Sequence, residues 1–433
     1  MMQRQDTRAL FAGAVRPVDN VFDISVREAG TTSVYGQSAR SMLRAYELAR
    51  QMGFRRTQIA SLSFGARYTV QDQFIELLRQ RGDDLAGAYV SFGVHGAAPA
   101  LEKIRRYGVQ NVFIDMFVGD AGGRFDPARA AASADLLCQV LDQVRALLPA
   151  AAAAPGGLPV GEIFINFGDF AEQRAHWDTY FAPLFARVRG HAVQAICFEE
   201  FRGAALPENM FEAAAYLRAQ FGFASHQIYA HIHGGNGLDD ACNLAAVAGG
   251  ADGVWAAMTP TSALAGHGSS LVYLTNLFRY GNRSVTGRYR LALAHDIVTE
   301  LYALNHAGNE PMPIEMPVFG RNAYAVNFQP FSQQAALPGM LPAGLVGRVE
   351  TARFVPLLSD PASIRQRLAE LGAPAVDDAT IERLQDTVHR HLLDDLGAGA
   401  GVDTRIDFNA PAFLLSFLAP RRSAAPTAQR SAA

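Results

Sequence analysis

Two histidines, His231 and His233, stand one residue apart in "YAHIHGGNG", at the end of an apolar run and just before a glycine-rich turn. Residues i and i+2 of a strand point to the same face, so both imidazoles can be directed at one ligand. Two imidazoles and a carboxylate suit a divalent metal ion of the zinc, manganese, iron or cobalt type. A histidine pair at a strand end is also often structural, so its role depends on which other residues the fold places opposite the two imidazoles.

A second polar cluster follows the first apolar run of the chain. Asp23, Arg27 and Glu28 lie in "DISVREAG". A third histidine, His267, lies in the later stretch "TPTSALAGHGSS". If these stretches end neighbouring strands, then a carboxylate, an arginine and three histidines converge on one rim. The open positions of a metal held there would take substrate oxygens and water.

The elements that must position these residues are short β-rich runs alternating with amphipathic helical patterns. The predicted strands are 20–25, 58–64, 87–93, 111–117, 162–168, 193–199, 227–233 and 252–258. Eight β/α units over roughly 265 residues are typical of a (β/α)8 TIM barrel. A doubly wound open sheet is the alternative, but no glycine-rich phosphate fingerprint follows the first strand. In a barrel, the polar clusters fall at the catalytic, carboxyl ends of the strands.

The alternation stops after about residue 285, where helical patterns surround a Pro- and Gly-rich middle. We therefore predict a barrel over 19–285 and a smaller, mainly helical C-terminal domain over 286–420. Residues 1–18 are interpreted as an N-terminal extension and 421–433 as a disordered tail.

The composition argues against several classes of partner and of catalysis. The chain has 433 residues, 18% of them charged, and a net charge of −3, so we expect no nucleic-acid partner. No run reaches ~18 apolar residues and no secretory signal is evident, so we expect no membrane partner and a cytoplasmic location. Lys103, the only lysine, falls on the charged face of a predicted helix, which disfavours lysine-dependent catalysis. The three cysteines have no zinc or redox spacing.

Three stretches resemble the DRE-TIM metallolyases, which include 2-isopropylmalate synthase, homocitrate synthase and hydroxymethylglutaryl-CoA lyase. "DISVREAG" resembles the family signature that begins with Asp and ends in Arg-Asp/Glu-Gly. "HIHGGNG", with the alanine-rich helix after it, resembles the family's HxHND stretch. "VFGRNAYAVNF" (318–328) resembles a segment just beyond the barrel in the synthases.

The resemblance implies a metal centre. Glu28, His231 and His233 would hold a divalent metal ion (Mg, Mn, Zn or Co), which would polarise the carbonyl of a 2-oxo acid. Arg27 would stabilise the developing enolate oxygen, and Asp23 would orient Arg27.

The departures from the family pattern concern the substrate and the proton-transfer groups. Relatives have a metal-reaching asparagine after strand eight, where this chain has His267 and Ser270. Either His267 or Ser270 could take the role of that asparagine. His267 could equally be a catalytic acid or base, with Tyr324 and His306 as alternative bases. Three further polar residues remain at family positions around the pocket and are expected to bind substrate: Asp169, Glu200 and Asn236.

The resemblance implies condensation of an acyl-CoA, with acetyl-CoA the expected donor, with a 2-oxo acid to give a 2-hydroxy diacid. The post-barrel segment favours this acyltransferase reaction, since the lyases lack it. The resemblance also implies that this protein is a homodimer, as the synthases typically are. The alternative is the reverse carbon–carbon cleavage by an aldolase or acyl-CoA lyase. A third hypothesis is a barrel that has lost catalysis and serves in binding.

Overall fold

The structure is a computed structural model. It describes residues 21–28, 33–63, 65–119, 123–200, 202–221, 226–260, 266–280, 282, 284–306, 325–328, 349–394 and 406–418. In these segments no helix combines the length and the apolarity that a membrane crossing requires. The predicted extension (1–18) and tail (421–433) lie outside the described residues, as do Tyr324 and the side chain of His306.

Eight parallel strands close into a barrel, in which each strand pairs with the next along the chain. The strands are β1 (Val21–Asp23), β2 (Thr57–Ser61), β3 (Ala88–Gly93), β4 (Asn111–Met116), β5 (Ile163–Phe167), β6 (Ala195–Glu200), β7 (Gln227–Ile232) and β8 (Gly253–Ala256). The barrel closes where β8 pairs with β1, with Val21 opposite Val254. The predicted (β/α)8 barrel is confirmed.

One α-helix follows each strand. These helices are α1 (Ala39–Met52), α2 (Val70–Gln80), α3 (Ala97–Tyr107), α4 (Pro127–Leu147), α5 (Ala182–Val188), α6 (Pro207–Phe221), α7 (Asp239–Gly249) and α8 (Ser270–Arg279). Local sequence fixes several of their ends. Ser38 and Thr69 begin α1 and α2 with capping boxes, and Gly53 ends α1 in the left-handed conformation.

The described part of the chain beyond the barrel is mainly helical, as predicted. Its helices are α9 (Ser284–Arg288), α10 (Ala294–His306), α11 (Pro361–Glu370), α12 (Asp378–Asp394) and α13 (Pro411–Ser416). Two short strands, Ala325–Val326 and Thr351–Ala352, pair in parallel. The helices pack on the barrel: Arg44 of α1 binds Glu300 of α10 through two hydrogen bonds of 2.5 and 2.8 Å. The domain boundary at residue 286 remains a prediction.

Aromatic rings fill the middle of the barrel. Phe22 lies among them, with its ring centroid 5.0 Å from that of Tyr89 and 5.2 Å from that of Phe164. The buried interior cluster consists of Phe22, Ile24, Tyr89, Phe113, Phe164, Ala195, Cys197, Tyr229, Trp255 and Ala257. Because side chains alternate along a strand, the residue two positions further on also points inward. These next inward positions, at the carboxyl ends, carry the polar groups of the site.

Lys103, on the predicted charged face of its helix, is buried. Its Nζ lies 2.9 Å from Oδ2 of Asp72 and 2.6 Å from the carbonyl oxygen of Arg67. Asp72 is fully buried and also accepts a hydrogen bond of 3.0 Å from Tyr107. A buried carboxylate requires a cation and hydrogen-bond donors, and α3 supplies both.

Replacing this lysine should therefore be costly. We expect Lys103→Met to lower the free energy of unfolding by about 3–5 kcal/mol, because it leaves a buried carboxylate without its cation. Arg106→Met on the same helix is the matched control, since its 3.4 Å ion pair with Glu76 is exposed and should contribute about 1 kcal/mol or less. Urea unfolding of both variants measures the difference, and equal losses would contradict the assignment.

Candidate functional site

The polar groups of the site come from six strands that are consecutive around the barrel, β4 to β8 and β1. The inward position above Cys197 on β6 is Glu199, and the one above Tyr229 on β7 is His231. His233 follows directly after β7, and Glu199 pairs in register with His231. The closed sheet therefore brings together side chains that are far apart in sequence.

Glu199, His231 and His233 form a buried cluster that could hold a metal ion, with ligand atoms all within 4.8 Å of one another. Nε2 of His233 lies 2.8 Å from Nε2 of His231. Oε1 of Glu199 lies 3.4 Å from Nε2 of His233 and 4.0 Å from Nε2 of His231. Two nitrogens bound at about 2.1 Å in adjacent positions on one metal lie about 3 Å apart, so this spacing fits a shared ion.

The protonation state of His231 also fits a ligand. Its Nδ1 lies 2.7 Å from the carbonyl oxygen of Trp255, so that nitrogen carries the proton and donates it. Burial, followed by the neighbouring histidines, holds the pKa of His231 well below its usual range. A neutral imidazole whose Nδ1–H is fixed by a carbonyl presents the Nε2 lone pair to a metal.

Arg27 and Glu28 lie beside this cluster, in a helical turn after β1. The Arg27 guanidinium donates a hydrogen bond to the Glu28 carboxylate. Burial alone would raise the pKa of Glu28, but the charge of Arg27 and its hydrogen bond to the carboxylate hold that pKa below its usual range. Glu28 therefore lies in the same buried site as the histidines.

Sequence reasoning missed Glu199 and named Glu28 as the carboxylate ligand. Of the described residues, Glu28 is not among those grouped within 4.8 Å, and Glu199 is. Strand alternation could have found Glu199, because Ala195 and Cys197 are the small inward residues of the same strand. The ligand role of Glu28 stays a prediction.

His267 lies next to the histidine pair. It forms an isolated β-bridge with His233, and its ring centroid is 5.1 Å from that of His231. It is fully buried, and burial lowers its pKa to about 4. Nδ1 lies 3.1 Å from the carbonyl oxygen of Gly268, whereas Nε2 has no hydrogen-bond partner among the described residues. His267 is therefore a neutral imidazole with a proton-accepting nitrogen.

The charge of the site also favours a cation. The Arg27 guanidinium interacts with three carboxyl groups: Glu28, Asp115 and Glu199. Burial, reinforced by the charge of Glu199, raises the pKa of Asp115 to about 7. One guanidinium does not balance these carboxyl groups, and a buried excess of negative charge is costly unless a cation offsets it.

The residues predicted to bind substrate hold loops at the rim. Glu200 accepts hydrogen bonds from backbone N–H groups of 202–204, and Asp169 accepts from those of 118–119. The side chain of Asn236 donates to the loop after β6 at 2.8 Å. These contacts shape the entrance, and direct binding of substrate by the three residues remains a prediction.

Asp23 accepts hydrogen bonds from the backbone N–H and the hydroxyl of Ser25, the latter at 2.6 Å. Burial raises its pKa to about 7. Its predicted role in orienting Arg27 stays a prediction.

No protein-family model and no curated protein matches the sequence. Solved structures resemble the chain at low identity. An HMG-CoA lyase from Bacillus subtilis is 14% identical, with a TM-score of 0.49 over 69% of this chain and 97% of that one. An HMG-CoA lyase from Acinetobacter baumannii, in complex with coenzyme A and 3-methylmalate, is 14% identical, with a TM-score of 0.47 over 68% and 97%.

The carboxyl transferase domain of Rhizobium etli pyruvate carboxylase, with 3-hydroxypyruvate, is 14% identical, with a TM-score of 0.45 over 68% of this chain and 49% of that one. The barrel itself is established by the strand order of this chain.

The depressed pKa of His267 predicts a pH dependence of stability. Its pKa is about 4 in the folded protein and about 6.5 when unfolded, so the unfolded chain binds more protons between these values. Lowering the pH from 7 to 5 should therefore cost the wild type about 2 kcal/mol more than it costs His267→Gln. Guanidinium unfolding of chelator-treated protein at both pH values measures this, and a pH-independent difference between the two proteins would contradict it.

Proposed function

We propose that the protein is a metal-dependent enzyme of the DRE-TIM metallolyase type, which makes or breaks a carbon–carbon bond next to a carbonyl group. The observation that carries this proposal is the Glu199, His231 and His233 cluster beside Arg27 at the carboxyl end of the barrel. Active sites of (β/α)8 enzymes form at this end.

His231, His233 and Glu199 are the proposed ligands of a divalent ion, Mg, Mn, Zn or Co, with Glu28 as a further candidate. The ion, when bound, supplies a Lewis acid that polarises the carbonyl of a 2-oxo acid. The two imidazoles and the carboxylate leave positions for substrate oxygens.

Arg27 is the proposed electrostatic catalyst. Its side chain is 20% exposed, so a substrate can reach it, while its pairing with the nearly buried Glu28 fixes its position. A fixed guanidinium in a largely buried site stabilises an enolate oxygen more than the neutral carbonyl that precedes it.

His267 is the proposed acid or base. Its imidazole is neutral, and among the described residues its Nε2 has no hydrogen-bond partner, so this nitrogen can accept a proton from a carbon next to a carbonyl or return one to it. Both directions of the reaction pass through an enolate, so Arg27 and His267 serve condensation and cleavage alike.

We propose the condensation as the reaction, with an acyl-CoA, expected to be acetyl-CoA, added to a 2-oxo acid. The stretch "VFGRNAYAVNF", which resembles a segment of the synthases, supports this direction. The reverse cleavage of a hydroxy acid is the alternative.

Metal binding is the first test. Purified wild type should contain or take up one divalent ion per chain by elemental analysis, and His231→Ala, His233→Ala and Glu199→Gln should each weaken its binding at least 10-fold. Glu28→Gln tests the ligand predicted from sequence in the same assay. His191→Ala removes a histidine outside the site, whose Nδ1 lies 3.1 Å from Oδ1 of Asp142, and this variant should bind like the wild type. A wild type that takes up none of the four metals would refute the site.

Activity distinguishes the two directions. With metal and acetyl-CoA, wild type should release free CoA when given an accepted 2-oxo acid from a panel, detected with a thiol reagent. Arg27→Met should lower kcat at least 100-fold while its metal content is retained, because transition-state charge stabilisation is lost and the ligands remain. Release of a 2-oxo acid or CoA thioester from a hydroxy acid, with no condensation, would support the lyase instead.

A further inference from the structure

A fully buried amide links two carboxyl groups inside the barrel. Nδ2 of Asn166, on β5, donates a hydrogen bond of 2.7 Å to Oε2 of Glu199. The same nitrogen donates one of 3.1 Å to Oδ1 of Asp115, on β4. Asp115, Asn166 and Glu199 thus form a chain of hydrogen bonds, which we call the interior chain, across three neighbouring strands.

The interior chain determines how Glu199 faces the histidines. A carboxamide nitrogen has two hydrogens, and here both are used by carboxylate oxygens. Because Asn166 binds Oε2 of Glu199, the other oxygen, Oε1, is the one directed at Nε2 of His233 and Nε2 of His231. Asp115 in turn holds the amide, since it accepts the second hydrogen.

Packing does not explain these residues. One inward position below, Phe113 and Phe164 fill the same strands with apolar rings. Oδ1 of Asn166 is buried and has no hydrogen-bond partner among the described residues. A buried oxygen without a hydrogen bond costs free energy. Hydrogen-bond donation by the amide nitrogen therefore explains an asparagine at this position better than packing does.

We propose that Asn166 and Asp115 are positioning residues of the metal centre, which orient the Glu199 carboxylate toward the ion. The inference rests on the proposed metal-dependent function. Neither residue needs to touch the ion or the substrate. Groups that hydrogen-bond a metal ligand fix its geometry, and losing one typically weakens metal binding 10–100-fold.

The test uses Co²⁺ as the probe, because its visible absorption spectrum reports the ligand geometry. Asn166→Ala should weaken Co²⁺ binding 10–100-fold and shift the spectrum toward that of Glu199→Gln. Cys197→Ala is the matched control: Cys197 pairs in register with Asn166 and faces the same interior without belonging to the interior chain. It should keep the wild-type affinity and spectrum.

A pair of Asp115 variants separates positioning from a general effect of the buried side chain. Asp115→Asn keeps an oxygen that accepts from the Asn166 amide, so Co²⁺ affinity should stay within about 3-fold of wild type. Asp115→Leu has a similar volume but no acceptor, so it should weaken binding about 10-fold or more. If Asn166→Ala fails to fold by circular dichroism, this pair decides the question.

The outcomes distinguish the two proposals. A wild type that binds no Co²⁺ would overturn the metal centre and this inference together. A wild type that binds Co²⁺, with Asn166→Ala or Asp115→Leu folded and unchanged in affinity and spectrum, would overturn the positioning role alone. Equal weakening by Asp115→Asn and Asp115→Leu would also overturn it.

Discussion

Closure of the barrel is the constraint on which the site depends. With eight strands paired in a ring, every second side chain must point into one shared interior. The aromatic layer around Phe22 fills the middle of that interior, and the next inward positions open toward the carboxyl ends. There the sequence changes from apolar to polar on adjacent strands. The site therefore needs no special loop to assemble its central groups, because strand alternation delivers them.

A polar layer inside a barrel is stable only when its charges are paired. Burial lowers the pKa values of His231 and His267, which is why both imidazoles are neutral. The carboxyl groups do not all become neutral in the same way. Arg27 interacts with three of them, and the amide of Asn166 donates a hydrogen bond to Glu199, which favours their charged forms. The same interactions that hold the carboxylates in place leave a concentration of negative charge next to the imidazoles of His231 and His233. The excess negative charge of the site is therefore also the reason why it can bind a cation.

Periodicity explains what the sequence predicted well. The strands were recognisable because apolar β-rich runs recur at regular spacing, and the histidine pair because i and i+2 share a face. Glu199 was missed because two glutamates are adjacent. Alternation from Ala195 and Cys197 places Glu199 inward, and the register puts it opposite His231. Helix periodicity placed Lys103 on the charged face of α3, but it does not show that α2 covers this lysine with Asp72. Contacts between elements that are far apart in sequence could not be predicted, because a pattern along one chain does not show which elements pack together.

The first loop of the site also depends on residues at the other end of the chain. Arg27 and Glu28 precede the segment 33–38, and Gln37 of this segment binds Asn305 of α10 at 3.3 Å. The Ser33 hydroxyl donates to the carbonyl oxygen of the same asparagine at 2.9 Å. Gly36 has a left-handed backbone with φ of +69°, and a Cβ there would lie 3.0 Å from Leu392 of α12, so glycine allows α12 to approach. The helices after the barrel thus hold the segment that follows Arg27 and Glu28. A barrel cut after α8 would keep its histidines but lose these contacts to the segment 33–38.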